Sequence, residues 1–283
     1  MLVKKQGKIT MSVDFVNSQG SAIPFQDTID QMRRLSTTRT GPITNTVVIF
    51  TGWGGSQGGQ PVRRGRGTAD RLRQDIQQNT ILGFNRIQIG AWQASYTRAS
   101  GMSGEIEQAF RFIISNFDPR GKLIVYGYSL GGFNAMALTY SIYARLALYE
   151  ATTSRFARYV VPGVPDALWC RPRVDLLLSI DPARGPGSGS AQRRIFSSVR
   201  LNINYYQTHE SRIYSRGGPT VAMVPAITEV RNFNWSNRYT GDQREGAHGK
   251  LDEDTYSNSL QAIRGVIGYE ATPRILPAGM EYV

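Results

Sequence analysis

The chain has 283 residues, 40% of them hydrophobic and 19% charged. It is long enough for one sizeable core, does not read as disordered, and has no apolar run near the ~20 residues of a membrane-spanning helix. Its 33 Lys and Arg against 21 Asp and Glu give a net charge of +12, which makes nucleic acid, anionic membrane and phosphate-bearing substrates early partner classes. A single cysteine, Cys170, excludes an internal disulfide, and with only two histidines the chain cannot build a Cys/His zinc site.

Residues 1–20 carry Lys4, Lys5 and Lys8 with no apolar segment behind them. A cleaved secretory leader is therefore not expected, and the cytoplasm is the default compartment; export by a dedicated machine would leave no such trace. Residues 8–25 alternate loosely around Asn17-Ser18-Gln19-Gly20, which suggests a hairpin, and 26–41 read as linker with a short helix. Residues 1–45 are thus expected as an extension packed on a main domain at 46–283.

A regular rhythm starts at Thr46. Thr46–Phe50 is a continuous apolar run, as in a strand buried on both faces, and a Gly-rich turn follows at 52–59. The pattern predicts a helix at 69–78 and a strand at 86–91. It predicts an amphipathic helix at 102–117 with Ile106, Ala109, Phe110, Ile113 and Phe117 on one face. Further strands are expected at 123–126, 174–180, 199–206 and 228–234, and helices at 133–149 and 252–267. Short apolar strands alternating with helices mean an α/β class with a mostly parallel sheet covered on both faces. Two Pro- and Gly-rich segments, 151–173 and 184–194, interrupt the rhythm. The first is a candidate cap or lid, or an inert surface insertion.

Gly127-Tyr128-Ser129-Leu130-Gly131 matches the G-x-S-x-G pattern. The glycines are needed because the serine sits in a sharp, strained strand-to-helix turn that lifts its hydroxyl clear of the sheet. The string alone is a weak signal. The predicted strand before it and helix after it supply the required context.

With these residues the chain resembles the α/β-hydrolase superfamily, and within it the lipases and esterases, over about 46–267. The resemblance implies a parallel sheet flanked by helices and a Ser–acid–His triad in that chain order. It also implies acyl transfer to water through an acyl-enzyme, with no cofactor and no metal. It further implies an oxyanion hole: the backbone N–H of Leu130, after the nucleophile, and that of Trp53 in Thr51-Gly52-Trp53-Gly54-Gly55. Thr51 stands where many lipases have His. A phosphate cradle is the rival use of that loop, but G-x-G-x-x-G fails at Gln57 and no Walker sequence occurs.

Of the two histidines, His248 lies after the last expected strand, where the family's base belongs, in a Gly-Ala-His-Gly loop. His209 follows the 199–206 strand and reads as a solvated loop residue. The expected acid is Asp181, at the carboxyl end of the 174–180 strand; Glu210, one strand later, is the runner-up, and Asp175 sits at the wrong end of its strand. Asp252 or Asp254 is expected to cap the last helix.

Arg63, Arg64, Arg66, Arg71 and Arg73 form the densest basic cluster. It reads as a solvated face or as an attraction to anionic lipid; no recognition motif supports nucleic acid. The expected activity is hydrolysis of a small-molecule or lipid ester by Ser129, His248 and Asp181. The alternatives are thioester or amide hydrolysis with the same groups, and a non-catalytic basic protein on a hydrolase scaffold that binds nucleic acid or anionic membrane.

Overall fold

The structure, a computed structural model, describes residues 15–16, 22–23, 43–52, 68–78, 86–94, 104–118, 121–156, 173–184, 193–209, 217–244 and 246–268. Near the N-terminus β1 (Phe15–Val16) pairs antiparallel with β2 (Ala22–Ile23). The centre of the fold is a six-stranded sheet of β3 (Thr44–Thr51), β4 (Arg86–Gln93), β5 (Leu123–Tyr128), β6 (Val174–Ile180), β8 (Val199–Tyr206) and β10 (Glu229–Asn234). The order is β10-β8-β6-β5-β3-β4, and every neighbouring pair is parallel. A small parallel pair, β7 (Arg194–Ile195) with β9 (Val221–Ala222), lies outside it. The helices are α1 (Thr68–Gln78), α2 (Gly104–Asn116), α3 (Leu130–Phe156), α4 (Ala247–Asp254) and α5 (Tyr256–Gly268).

The continuous apolar runs do what such runs require: they supply both faces of the sheet. Along β3, Val48 and Phe50 join one core with Ile106, Phe110 and Ile113 of α2 and Met136 and Leu138 of α3. Val47 and Ile49 point the other way, into a core with Leu72 and Ile76 of α1, Leu251 of α4 and Leu260 and Ile263 of α5. β5 divides likewise, Leu123 and Val125 to the first core and Ile124 and Tyr126 to the second. Full burial of one such aliphatic side chain is worth about 1.5–3 kcal/mol, so a one-residue slip of either strand would exchange the two cores and is strongly opposed.

The strand order positions the site. From β3 the chain passes through α1 to the edge strand β4, then returns across β3 to β5 and proceeds outward through β6, β8 and β10. α1 packs on one face and α3 on the other. The crevice beyond the carboxyl ends of β3 and β5 is therefore a topological switch point, where parallel sheets bind ligands.

Two expectations about helices are corrected. Residues 252–267 are not one helix but the end of α4 and all but the last residue of α5, broken at Thr255, whose hydroxyl donates back to the Leu251 carbonyl at 2.7 Å. The helix expected at 133–149 runs on through Ala151–Phe156 as part of α3; the rest of the candidate cap at 151–173, residues 157–172, lies outside the described residues. Among the described residues no helix is long and apolar enough to cross a membrane.

Candidate active site

Ser129 joins β5 directly to α3 and has a positive φ of 55°. The turn is held on three sides: the Ser129 N–H donates to the Ile180 carbonyl at 2.9 Å, and the Ser129 carbonyl accepts from the N–H groups of Phe133 at 3.2 Å and Ala183 at 3.0 Å. The flanking glycines are required by contact. A Cβ at Gly131 would lie 2.4 Å from the Phe50 carbonyl oxygen and 2.5 Å from that of Thr51; one at Gly127 would lie 2.3 Å from the Gly131 carbonyl oxygen. These are backbone atoms of β3 and α3, which cannot yield without moving the crevice itself. Gly131→Ala is accordingly expected to lower stability by about 2 kcal/mol in urea denaturation, as overpacking does. An unchanged midpoint would show that the turn has room.

The serine hydroxyl lies 2.8 Å from His248 Nε2, and His248 Nδ1 lies 2.8 Å from Asp181 Oδ2. All three side chains are buried, Asp181 completely. An ionised carboxylate can only accept, so the imidazole hydrogen sits on Nδ1 and the serine O–H donates to Nε2. Asp181 turns out of β6 at φ 41°, and its N–H still donates to Tyr205 of β8 at 2.8 Å. Thus the carboxyl end of β6 aims the acid at the end of β5. His248 is not in a loop, as the small flanking residues suggest, but in the first turn of α4. Tyr128 holds it there: its ring stacks on the imidazole at 5.4 Å, and its hydroxyl donates to the His248 carbonyl at 2.8 Å.

Leu130 is the first residue of α3. Its N–H is one of the four that a helix leaves without an intrahelical acceptor, at the positive end of the helix dipole. Trp53 lies outside the described residues, as does Glu210. Gly52, the residue before Trp53, approaches the serine so closely that a Cβ on it would stand 3.3 Å from Ser129 Cβ. The exit of β3 therefore passes beside the Ser129 turn.

The side chains of the remaining described candidates make their hydrogen bonds outside the Ser129–His248–Asp181 chain. Asp175 sits at the amino end of β6, accepting from the Leu123 N–H at 3.0 Å and facing Arg200 at 3.6 Å. His209 is not simply solvated; its Nε2 is 2.7 Å from the Ser236 carbonyl oxygen, and its ring meets Tyr239 edge-on. Neither acidic candidate caps α5. Asp254 accepts the Tyr239 hydroxyl at 2.9 Å, and Asp252, one turn after His248 on α4, accepts the hydroxyl of Tyr126. Of the basic cluster, Arg71 lies 3.6 Å over the Tyr256 ring, while Arg63, Arg64 and Arg66 are outside the described residues.

Burial pushes the Asp252 carboxyl up, by more than the hydrogen bonds from Tyr126 and Thr68 pull it down. The same burial, with the Asp252 charge, keeps the Tyr126 phenol a neutral donor. A carboxyl that binds its proton at higher pH when folded costs nothing in strong acid and destabilises as pH rises through its folded value. Asp252→Asn, which keeps an acceptor for Tyr126, is expected to raise the urea midpoint at neutral pH and to raise it less in acid. Equal gains at both would contradict the burial effect.

Three participants carry no sequence pattern: Tyr128, Gln207 and Gly217. Gln207, buried just after β8, donates from Nε2 to Asp181 Oδ2 at 2.8 Å. Tyr128 occupies a variable position of the G-x-S-x-G string, and its contacts follow only once α4 lies over β5. Among the described residues no group of three His, Cys, Asp or Glu is placed to hold a metal ion. Comparison with known proteins finds no match: no family model, curated protein or solved structure is significantly similar to the chain.

Proposed function

We propose that the chain is a serine hydrolase of the α/β-hydrolase type that cleaves carboxylic esters, of the lipase, phospholipase or esterase kind. One observation carries the proposal: the unbroken chain Ser129 Oγ–His248 Nε2 and His248 Nδ1–Asp181 Oδ2, both links 2.8 Å, buried at a switch point of a parallel sheet. The positive φ of Ser129 and the helix starting at Leu130 support it, since they match the strained turn that exposes such a serine.

In this mechanism His248 takes the Ser129 proton at Nε2 as Oγ bonds to the ester carbonyl carbon. The carbonyl oxygen becomes an oxyanion facing the Leu130 N–H, with Trp53 proposed as the second donor. Asp181 holds the imidazole tautomer and stabilises the imidazolium. The proton passes from His248 to the leaving alcohol as the C–O bond breaks, and water then releases the acyl group by the same steps. No step calls for a cofactor or metal. The +12 charge favours a substrate presented on an anionic surface.

A fluorogenic panel tests the substrate class: acyl esters of short, medium and long chain, a phospholipid in anionic and in neutral vesicles, a thioester and an amide. Turnover of carboxylic esters above thioesters and amides is expected. Turnover of thioesters or amides alone would reassign the acyl class, and salt-dependent nucleic-acid binding with no turnover would reject the enzyme.

A further inference from the structure

We propose that Gln207 is a positioning residue for the triad acid, a role that rests on the hydrolase proposal for Ser129, His248 and Asp181. The Asp181 carboxylate is fully buried, yet its Oδ1 has no hydrogen-bond partner among the described residues. Two donors converge instead on Oδ2: His248 Nδ1 and Gln207 Nε2, each at 2.8 Å. A carboxylate held by the imidazole alone could swing about its Cβ–Cγ bond. A second donor on the same oxygen removes that freedom and keeps the lone pair aimed at Nδ1.

The orientation of the amide is determined by its other end. Gln207 Oε1 accepts the His209 N–H at 2.7 Å. A flipped amide would set oxygen against the Asp181 carboxylate and NH₂ against an N–H, two repulsions in place of two hydrogen bonds. Gln207 thus ties the acid to the backbone beyond β8.

The space beside Oδ1 is closed as well. Gly217 packs so tightly that a Cβ on it would lie 1.7 Å from Oδ1 and 3.0 Å from the Gln207 carbonyl oxygen. The segment behind it is fixed to the sheet: Thr220 Oγ1 donates to Asn202 Oδ1 at 2.6 Å, and Asn204 Nδ2 donates to the Gly218 carbonyl at 2.9 Å. Asn204 in turn accepts from the Ser179 hydroxyl at 3.0 Å, two residues before Asp181. These contacts leave Gln207 as the one side chain, besides His248, that donates to the carboxylate among the described residues.

The test uses the full chain labelled with ¹⁵N-histidine, with Gln207→Met and Gln207→Leu as variants. Methionine keeps the length and leucine a branched end of similar size, both without the donor. In the wild type the His248 Nδ1 proton should give a strongly deshielded resonance, assigned by its persistence in His209→Asn. Both variants should move that resonance upfield or broaden it. Both should lower kcat for the best ester by about 10²-fold, the scale of a small misplacement of a catalytic group, with KM near the wild-type value. A folded variant with the resonance and kcat of the wild type overturns the proposal. So does a fall in kcat with the resonance unmoved, since Gln207 would then act elsewhere. If the wild type hydrolyses nothing but the resonance still depends on Gln207, the positioning role stands and the hydrolase proposal fails. Absence of the resonance from the wild type overturns the positioning role.

Discussion

Ser129→Ala is expected to lower kcat/KM for a carboxylic ester by roughly 10⁴-fold or more, the scale seen when a serine nucleophile is removed. The substitution deletes only Oγ, whose partner is His248 Nε2. It leaves the N–H to Ile180 and the carbonyl contacts with Phe133 and Ala183 in place, because these are backbone bonds. Alanine meets the same strain at φ 55° that serine meets. The thermal midpoint should therefore stay close to the wild type while turnover disappears. A variant within tenfold of wild-type activity would contradict the nucleophile assignment.

Asp181→Asn should lower kcat by about 10⁴-fold, because a neutral amide neither stabilises the imidazolium nor enforces the tautomer. Two N–H donors face Oδ2. If the asparagine NH₂ took that place it would oppose both, and His248 would turn its bare nitrogen to residue 181 and its N–H to Ser129. A base in that tautomer cannot accept the serine proton. Glu210→Gln is the control, expected to leave kcat within a few-fold of the wild type. The reverse ranking, damage from Glu210→Gln and tolerance of Asp181→Asn, would move the acid to the later strand.

The parts of the fold set by burial on both faces are legible in the sequence. Val174–Ile180 and Val199–Tyr206 read as strands to the residue: the first is centred on the apolar Leu176-Leu177-Leu178, and the second alternates apolar Val199, Leu201, Ile203 and Tyr205 with polar residues. The break at Thr255 is not legible. Leu251, Tyr256, Leu260 and Ile263 all enter one core, so the apolar spacing runs through the interruption. The start of α3 is masked for the opposite reason: Gly131 and Gly132 read as turn, yet they lie in its first turn.

At the site, Ser129 and His248 are legible because a motif and the scarcity of histidine point to them, and Asp181 because it ends a core strand, although the sequence keeps Glu210 beside it as runner-up. Gln207 is not. A glutamine after a strand has no pattern of its own, and its bond to Asp181 exists only because β8 lies beside β6 with Ile180 opposite Tyr205. Tyr128 depends in the same way on α4 reaching β5 across 120 residues. Contacts made by sheet order rather than by local spacing become visible only when the order is known.

The most direct measurement is mass-spectrometric mapping of the adduct formed when the intact chain reacts with a fluorophosphonate. A single phosphonylated residue, Ser129, is expected, and its labelling should be lost in His248→Ala. No adduct, or an adduct on a different residue, would contradict it.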